Sequence, residues 1–483
     1  MNVVRSDGFL KEVAALAVPV ALQSMLQSSF SIVDQIMIGQ LGSVSIAGVG
    51  LAGKFSSIFS VVVAAVGAVA GIMISQYIGQ KNEGEVRRSF YVNLLLAVVV
   101  AALFMAVCIL FPAKVMGLYT KDTSTRDVAC GYLSIIALTF LPMAGATMLS
   151  TYLRCSGRPR LPLYASIVAA VLNTILNYIL IFGTFGISHM GYRGAAIATV
   201  VSQVANFIIM MFLLPRKNVL CRRKVDTEIS VCKFNVDQYL AMLLPVLVCE
   251  FMWSLGENVY AAIYGNMGTD ASAAMTLTNP IQGIVIGALC GLSQAAGVLV
   301  GKRLGSGSYD EAYFASKRLM LYGAVGSVAL SVLVVVAAPL YVKSYNVDAS
   351  VRLLTVQILF AYALVAPFKV LNMILGGGIL RSGGKTKYVM GIDLFGTWLL
   401  GVPLGLLSAF VLRLPIPYVY FILSLEEGDA CGVRRESRKF IAEHILQAGA
   451  LYHHRLSFLL QEWALDGERH NLVVFNVLIQ DIQ

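Results

Sequence analysis

Eleven apolar runs, each long enough to cross a lipid bilayer, constrain this chain more than any other feature of its sequence. A helix needs roughly 20 apolar residues to span the hydrocarbon layer. The runs cover approximately residues 13–38, 46–75, 90–112, 131–152, 163–185, 194–214, 239–264, 272–300, 317–342, 353–380 and 386–412. A twelfth run opens at Leu414 and stops at Glu426, after about half the length that a span needs. The sequence therefore predicts an all-α polytopic membrane protein of twelve helices, the twelfth truncated or altered.

The amino-acid composition agrees with a chain that lies mostly in lipid. Hydrophobic residues make up 58% of the 483 positions, charged residues only 13%, and the mean hydropathy is +0.77. Soluble chains are about half apolar and about a quarter charged. The net charge of +10 does not indicate nucleic-acid binding, because Lys and Arg lie in short loops between apolar runs. Eight scattered cysteines without a CxxC motif indicate neither a disulfide framework nor a metal site.

The distribution of basic residues predicts the orientation of the chain in the membrane. Nineteen Lys and Arg residues lie in the loops that follow even-numbered runs, and seven lie in the loops that follow odd-numbered runs. Basic residues accumulate in cytoplasmic loops of membrane proteins. We therefore expect a multi-pass protein of the cell membrane (the inner membrane where a cell has two), with a cytoplasmic N-terminus and cytoplasmic even-numbered loops.

The chain contains an internal repeat with an offset of 226 residues. Without a gap, this shift places residues of the first half on identical residues of the second: Pro19 on Pro245, Gly39 on Gly265, Gly42 on Gly268, Ala47 on Ala273, Gly71 on Gly297, Gly79 on Gly305 and Glu85 on Glu311. Further along, LRCSGRPR at 153–160 matches LRSGGKTK at 380–387 with one residue of slippage. Each half holds six helices, an even number, so both halves enter the membrane in the same direction. Parallel repeats of this kind are an architecture of alternating-access transporters.

The repeat divides the chain into four segments. We predict an N-terminal six-helix lobe at 1–214, a polar and basic cytoplasmic linker at 215–238, a C-terminal six-helix lobe at 239–427 and an atypical tail at 428–483.

The tail has two interpretations. It holds four of the five histidines and follows an apolar run that stops halfway. We favour a frameshift near Glu427, because GDACGVRR, reverse-translated and read one base later, permits an apolar stretch that would complete the twelfth helix. The alternative is a soluble extension that packs on the cytoplasmic face, with 444–463 as an amphipathic helix.

Several motifs, in matching order, resemble one family of membrane proteins. They are VDQIMIGQLG (33–42), QYIGQKNEGE (76–85), LRCSGRPR (153–160), NTILNYILIFG (173–183), GYRGAAIATVVSQ (191–203), YAAIYGNMG (260–268) and ILRSGGKTKYVMGIDLFGTWLLGVPLG (379–405). They resemble the multidrug and toxic compound extrusion (MATE) family, and most of all its bacterial DNA-damage-inducible branch, over about residues 10–427. The resemblance implies two six-helix lobes around a V-shaped cavity. It also implies export of organic, often cationic compounds in exchange for H⁺ or Na⁺.

Asp34 is the leading candidate for ion coupling. It lies far along the first helix with no basic residue within a turn. A carboxylate in or near hydrocarbon is costly, and an ion or proton site facing the bundle interior is its default interpretation. The alternative is that Asp34 lies at the outer interface and merely ends the helix. The matching position in the resembled family favours the functional interpretation.

Three further polar residues are expected to join Asp34. Asn173 and Asn177 are one turn apart and share a helix face, and Thr199 lies in the small-residue run GAAIAT. The resemblance implies that these positions form a polar cluster with Asp34 in the N-terminal lobe. Several relatives carry Asp where this chain has Asn177, and losing that carboxylate weakens the case for Na⁺, so we favour H⁺. The alternative role of the asparagines is ordinary interhelical hydrogen bonding.

Candidates for the substrate cavity come from both halves. Tyr260 occupies the place of Asp34 in the second half, and Glu257 lies one turn before it; we expect Glu257 to attract cationic compounds. Met37 and Tyr178 are candidate lining residues, since methionine and aromatic side chains adapt to varied shapes. The alternative for each is plain helix packing.

These features favour a cation-coupled antiporter that exports organic, often cationic, drugs and toxic compounds by alternating access. We expect no enzyme activity, no cofactor, no bound metal and a monomer in the bilayer. No GxxxxGK[ST] motif occurs in the sequence, which argues against an ATP site. The alternatives are a flippase for lipid-linked saccharides and a non-transporting membrane protein.

Overall fold

Every regular element that the structure describes is helical. A computed structural model of the chain describes residues 6–183, 189–214, 236–343, 345 and 348–424. Eleven of its helices are long and apolar enough to cross a membrane, so the prediction of an all-α polytopic membrane protein is confirmed. The tail at 428–483 lies outside the described residues, as does the expected linker except for its last three positions, which begin a helix.

The described part of the first half forms eight helices, of which one pair builds a single span. Their bounds are α1 Ser6–Gly39, α2 Ser43–Gly79, α3 Glu83–Leu110, α4 Pro112–Gly117, α5 Thr123–Ile136, α6 Phe140–Cys155, α7 Arg160–Phe182 and α8 Gly191–Leu213. A 3-10 turn joins α5 to α6, so the two make one span of 33 residues. The helix α4 is a short turn that begins at a proline, whose missing N–H is not needed in the first turn of a helix.

The second half repeats this order with nearly the same spacing. Its helices are α9 Val236–Asn266, α10 Thr269–Gly305, α11 Tyr309–Lys343, α12 Ala349–Asn372, α13 Thr386–Leu394, α14 Val402–Leu406 and α15 Ile416–Leu423. The bounds of α2 and α10 differ by 226 residues at both ends, as do the first residues of α3 and α11. The internal repeat in the sequence is thus a repeat of helices. The helix α15 is the described part of the twelfth run.

Three π-helical segments occur in the described part of the second half, and none occurs in the described part of the first. Met373–Leu380 continues α12, Phe395–Gly401 joins α13 to α14, and Leu407–Val411 follows α14. Helices rarely adopt π geometry, and where they do the segment often lies at a functional site. The first segment contains three successive glycines, and Gly378 packs so closely that an added methyl group would lie 2.6 Å from the carbonyl oxygen of Ser293.

The two halves meet through α1, α2, α9 and α10. The helix α1 packs along α10, and α2 packs against both α9 and α10. We call the end of the bundle where α2 and α10 terminate the basic end, because Lys and Arg cluster around the ends of these two helices, at 81, 87 and 88 and at 302 and 303. At this end, Arg303 of α10 forms an ion pair with Glu12 of α1 at 3.0 Å.

Glycines make the contact at the basic end unusually close. A methyl group added to Gly79 would overlap the carbonyl oxygen of Lys302, and one added to Gly305 would overlap the carbonyl oxygen of Gln76. The Gln76 side chain also donates a hydrogen bond of 2.7 Å to the carbonyl oxygen of Ser382. The repeat-related pair Gly79 and Gly305 therefore lets the backbones of the two halves touch.

The opposite end of the bundle, where α1 and α9 terminate, is open at the corresponding places. A methyl group added to Gly39, Gly42, Gly265 or Gly268 would meet no atom within 4 Å. These four glycines are also paired by the repeat. Glycines paired by the repeat thus lie at both ends of the contact between the halves. The backbones touch at Gly79 and Gly305, and they are apart at the other four glycines.

Candidate functional site

Asp34 lies inside the first half of the protein, five residues before the end of α1. Its carboxylate accepts a hydrogen bond of 2.6 Å from the side-chain amide of Asn177 on α7. The same amide donates a second hydrogen bond, of 3.0 Å, to the side-chain oxygen of Asn173 one turn away. Both asparagines are buried, with 1% and 7% of their surfaces exposed.

The chain of hydrogen bonds continues from α7 to α8. The Asn173 amide lies 3.3 Å from the hydroxyl of Ser202 and 3.4 Å from the hydroxyl of Thr199. The structure thus brings Asp34, Asn173, Asn177 and Thr199 together, and it adds Ser202, which sequence reasoning missed. Ser202 follows Thr199 by three residues and so shares its helix face; that spacing was the available signal. We call these five residues the Asp34 cluster.

The charge of Asp34 has no partner of opposite sign among the described residues. Its only side-chain partner there is Asn177, and the buried Tyr132 of α5 lies near enough for an electrostatic interaction. The side-chain oxygen of Asn177 is itself buried and accepts no hydrogen bond within the described chain. A buried acceptor without a donor is unfavourable, so the cluster is suited to receive a proton donor or a cation.

The four predicted cavity residues differ in their exposure. Tyr178 is 53% exposed and packs against Phe182, with 5.7 Å between the ring centroids. Glu257 is exposed and Met37 partly exposed. Tyr260 is only 6% exposed and packs in the hydrophobic core of the second half, so it does not line an open cavity here.

A group of charged residues in the second half was not anticipated as a cluster. The Arg381 guanidinium donates to the carboxylate of Glu250 at 2.6 Å and to the Cys249 sulfur at 3.1 Å. The Cys249 thiol in turn donates to the carboxylate of Asp393 at 2.8 Å. These contacts join α9, the turn after the first π-helical segment, and α13. Glu250, rather than Glu257, is therefore the glutamate of α9 that has a partner within the bundle.

Removing one member of this ion pair should destabilise the second half. We expect Glu250→Ala to cost about 3 kcal/mol, because it removes the only direct ion-pair partner that the described residues give to the largely buried Arg381. The measurement is the midpoint of thermal unfolding of the purified protein in detergent. Glu257→Ala, which removes an exposed carboxylate from the same helix, is the matched control and should leave the midpoint unchanged. A double variant with Arg381→Ala should be more stable than Glu250→Ala alone; equal loss in both would contradict the assignment.

The described residues contain no candidate metal centre. They contain no group of three or more His, Cys, Asp and Glu side chains able to hold a metal ion. Among these residues, then, the site is a network of polar side chains between helices, and it suits binding of a small ion.

A helical bundle of two parallel repeats, with polar groups gathered inside one repeat, has the architecture of a membrane transporter. The family model MatE matches residues 19–179 and 245–407, two segments that begin 226 residues apart. The chain belongs to the MATE family of transporters. This membership confirms the resemblance seen in the sequence and the interpretation of the chain as a transporter and not an enzyme.

Curated relatives and solved structures extend over most of the chain. It is 25% identical over 420 residues to the probable multidrug resistance protein NorM of Agrobacterium fabrum, covering 84% of this chain and 88% of the relative. It is 23% identical over 448 residues to the probable multidrug resistance protein NorM of Thermotoga maritima, covering 89% of this chain and 96% of the relative. Its fold is similar to an outward-facing multidrug resistance MATE family transporter of the MOP superfamily, with a TM-score of 0.82 and 16% identity over 90% of this chain and 96% of the other.

Proposed function

We propose that this protein is an antiporter that exports organic, often cationic, drugs and toxic compounds across the cytoplasmic membrane by alternating access, with H⁺ as the coupling ion. Family membership supports transport. The substrate class is supported by relatives that are named as probable multidrug resistance proteins. The sequence has no P-loop motif, in keeping with an ion gradient as the energy source. The proposed working unit is a monomer.

One observation carries the coupling proposal: Asp34 is held by an amide inside the bundle and has no cationic partner among the described residues. An intramembrane carboxylate in such a place is a proton or ion site by default. A Na⁺ ion prefers several carboxylate and carbonyl oxygens, whereas the cluster supplies a single carboxylate. Proton exchange requires that carboxylate alone, so we favour H⁺, with Asn173, Asn177 and Thr199 orienting it.

We further propose that the basic end of the bundle is cytoplasmic, together with the N-terminus. The excess of Lys and Arg in the loops at that end supports this orientation. The close approach of Gly79 and Gly305 to the other half would then seal the cytoplasmic side. Two lobes at 1–214 and 239–427 would move relative to each other to open that side and close the opposite one.

The substrate is proposed to bind between the lobes. Met37 and Tyr178 in the first half, with Glu257 in the second, remain the proposed cavity residues because methionine, aromatic and carboxylate groups suit varied organic cations. Tyr260 would join them only in a conformation that exposes it.

Transport driven by separate ion gradients tests the coupling proposal. In proteoliposomes that contain the purified full-length chain, an imposed pH gradient should drive ethidium or norfloxacin accumulation, and a protonophore should abolish it. Replacing Na⁺ by K⁺ on both sides should leave the rate unchanged. Accumulation that requires a Na⁺ gradient and survives the protonophore would overturn H⁺ coupling, and the absence of movement of either compound would overturn drug export.

A further inference from the structure

Arg154 is a cation inside the bundle whose bonding is incomplete. It lies in the last turn of α6, and its Nε and Nη2 atoms donate to the Ser150 hydroxyl at 3.2 and 2.8 Å. The remaining contact is from Nη1 to the side-chain oxygen of Gln294 on α10, at 3.5 Å, which is the outer limit of a hydrogen bond. A guanidinium carries five N–H donors in a planar fork. The two neutral acceptors, Ser150 and Gln294, therefore leave some of these donors without a hydrogen bond to the described residues.

The internal repeat shows what Arg154 lacks. The matching motifs LRCSGRPR and LRSGGKTK place Arg154 opposite Arg381, and Arg381 forms an ion pair of 2.6 Å with Glu250. The 226-residue shift places Ser24 of α1 at the position of Glu250. No carboxylate among the described residues lies within ion-pair distance of Arg154. The first half therefore has the same arginine as the second half, but a serine stands at the position of its counter-charge.

The surroundings of Arg154 are polar and accessible. The Cys290 thiol of α10 donates to the carbonyl oxygen of Gly287 at 3.1 Å, and the Ser24 hydroxyl would lie 3.7 Å from a methyl group added to Gly287. Gln294 is exposed, and Arg154 is partly exposed. These side chains come from α1, α6 and α10, so they lie where the two halves meet.

The position along the bundle is just beyond the closed contact. The neighbouring Cys155 contacts the carbonyl oxygen of Gly71 at 3.6 Å, and Gly71 precedes Gly79 by two turns of α2, about 12 Å along the helix axis. Arg154 thus lies on the open side of the Gly79 contact, where its side chain reaches Gln294 on α10 of the other half.

We propose that the Arg154 guanidinium binds the carboxylate group of those transported compounds that carry one, and so favours them over the matching esters. An arginine fork pairs with a carboxylate through two parallel hydrogen bonds. A cation partly withdrawn from water is less favourable without a counter-charge, and a substrate carboxylate supplies that charge. The proposal rests on the proposed function, since it specifies which compounds the exporter carries.

A pair of substrates that differ only in the carboxylate tests this inference. Norfloxacin carries a carboxylate, and its ethyl ester has the same ring system without that charge. We expect Arg154→Gln to raise the KM for norfloxacin tenfold or more, since a hydrogen-bonded charge pair contributes about that much to binding. The KM for the ester should change less than about twofold, which the same proteoliposomes report and which shows that the variant is folded. Arg154→Lys should restore part of the norfloxacin affinity.

Arg158 provides a matched control, because it lies in the same motif and is exposed. Arg158→Gln should leave both compounds unaffected. Equal loss of acid and ester transport in Arg154→Gln would overturn the proposal and leave Arg154 a structural role; unchanged transport of both would also overturn it.

A second measurement separates this inference from the proposed export activity. If wild-type proteoliposomes move neither compound, export fails, but norfloxacin titrated into the purified full-length protein still tests the site. Binding at least tenfold tighter to wild type than to Arg154→Gln supports the proposal, and equal binding contradicts it.

Discussion

Asp34→Asn should reduce pH-driven accumulation of ethidium to the level of liposomes without protein. Asparagine keeps the shape of the side chain and a hydrogen-bond partner for Asn177, but it cannot exchange a proton. The variant therefore loses the group that links proton movement to drug movement, while the helices α1, α7 and α8 keep their packing. The measurement is the initial rate of accumulation under a fixed pH gradient.

Drug binding separates loss of coupling from loss of structure. Purified Asp34→Asn should bind ethidium within about twofold of wild type, because the carboxylate acts on the proton and the drug is proposed to bind between the lobes. Asp127→Asn is the matched control: Asp127 is an exposed carboxylate on α5, and its removal should leave accumulation unchanged. Wild-type rates in Asp34→Asn would remove Asp34 from the mechanism.

The membrane-spanning helices were predictable from the sequence because the bilayer sets their minimum length. Each of the eleven apolar runs became a span, and the 226-residue offset reappeared in the bounds of α2 and α10. The offset also recurs between the two segments that match the family. Hydrophobic length and a repeated glycine pattern are local signals, and they need no knowledge of which helix packs on which.

The composition of the Asp34 cluster was only partly predictable. The spacing of Asn173 and Asn177 placed them on one face, and the family resemblance connected them with Asp34 and Thr199. The bonds themselves run between α1, α7 and α8, and such contacts depend on how helices are rotated against each other. Ser202 shared a face with Thr199, yet nothing in the sequence distinguished it from the many other serines in these helices.

The charged residues of the second half were less predictable from the sequence than the Asp34 cluster. Glu250 and Glu257 are seven residues apart and lie on nearly the same face of α9, but they differ by about 10 Å along the helix axis. Only Glu250 lies at the level of Arg381, and Glu257 is exposed. The sequence favoured Glu257 for its place next to Tyr260, because the depth at which Arg381 enters the bundle is a property of the packed helices.

Gly79→Ala is expected to abolish transport while leaving the protein folded. Gly79 is helical and lies at the end of α2, so alanine introduces no backbone strain and is the better helix former. The added methyl group would overlap the backbone oxygen of Lys302, and no change of rotamer can relieve a clash with backbone. The helices α2 and α10 must then separate by about 1 Å or more. Gly305→Ala should act in the same way through Gln76, because the repeat makes the contact reciprocal.

Accessibility at the basic end reports the separation directly. Ser75 of α2 is fully buried against Gly301 of α10. In Ser75→Cys, a membrane-impermeant thiol reagent added from the basic side should label the new cysteine slowly. Mass spectrometry of the digested protein distinguishes this label from labels on the native cysteines. Adding Gly79→Ala should speed that labelling at least tenfold, in step with the loss of drug accumulation.

Glycines of the same two helices that face open space provide the controls. A methyl group at Gly53 of α2 or Gly283 of α10 would meet no atom within 4 Å, so Gly53→Ala and Gly283→Ala should keep both transport and slow labelling. If Gly79→Ala transports normally, the close contact is not needed for the cycle, and the repeated glycines serve packing alone. If it is inactive but remains unlabelled, the halves have not separated and the loss has another cause. Only the joint outcome, fast labelling with no accumulation, makes this contact the seal of the basic end, because an alternating-access transporter must close one side before it opens the other.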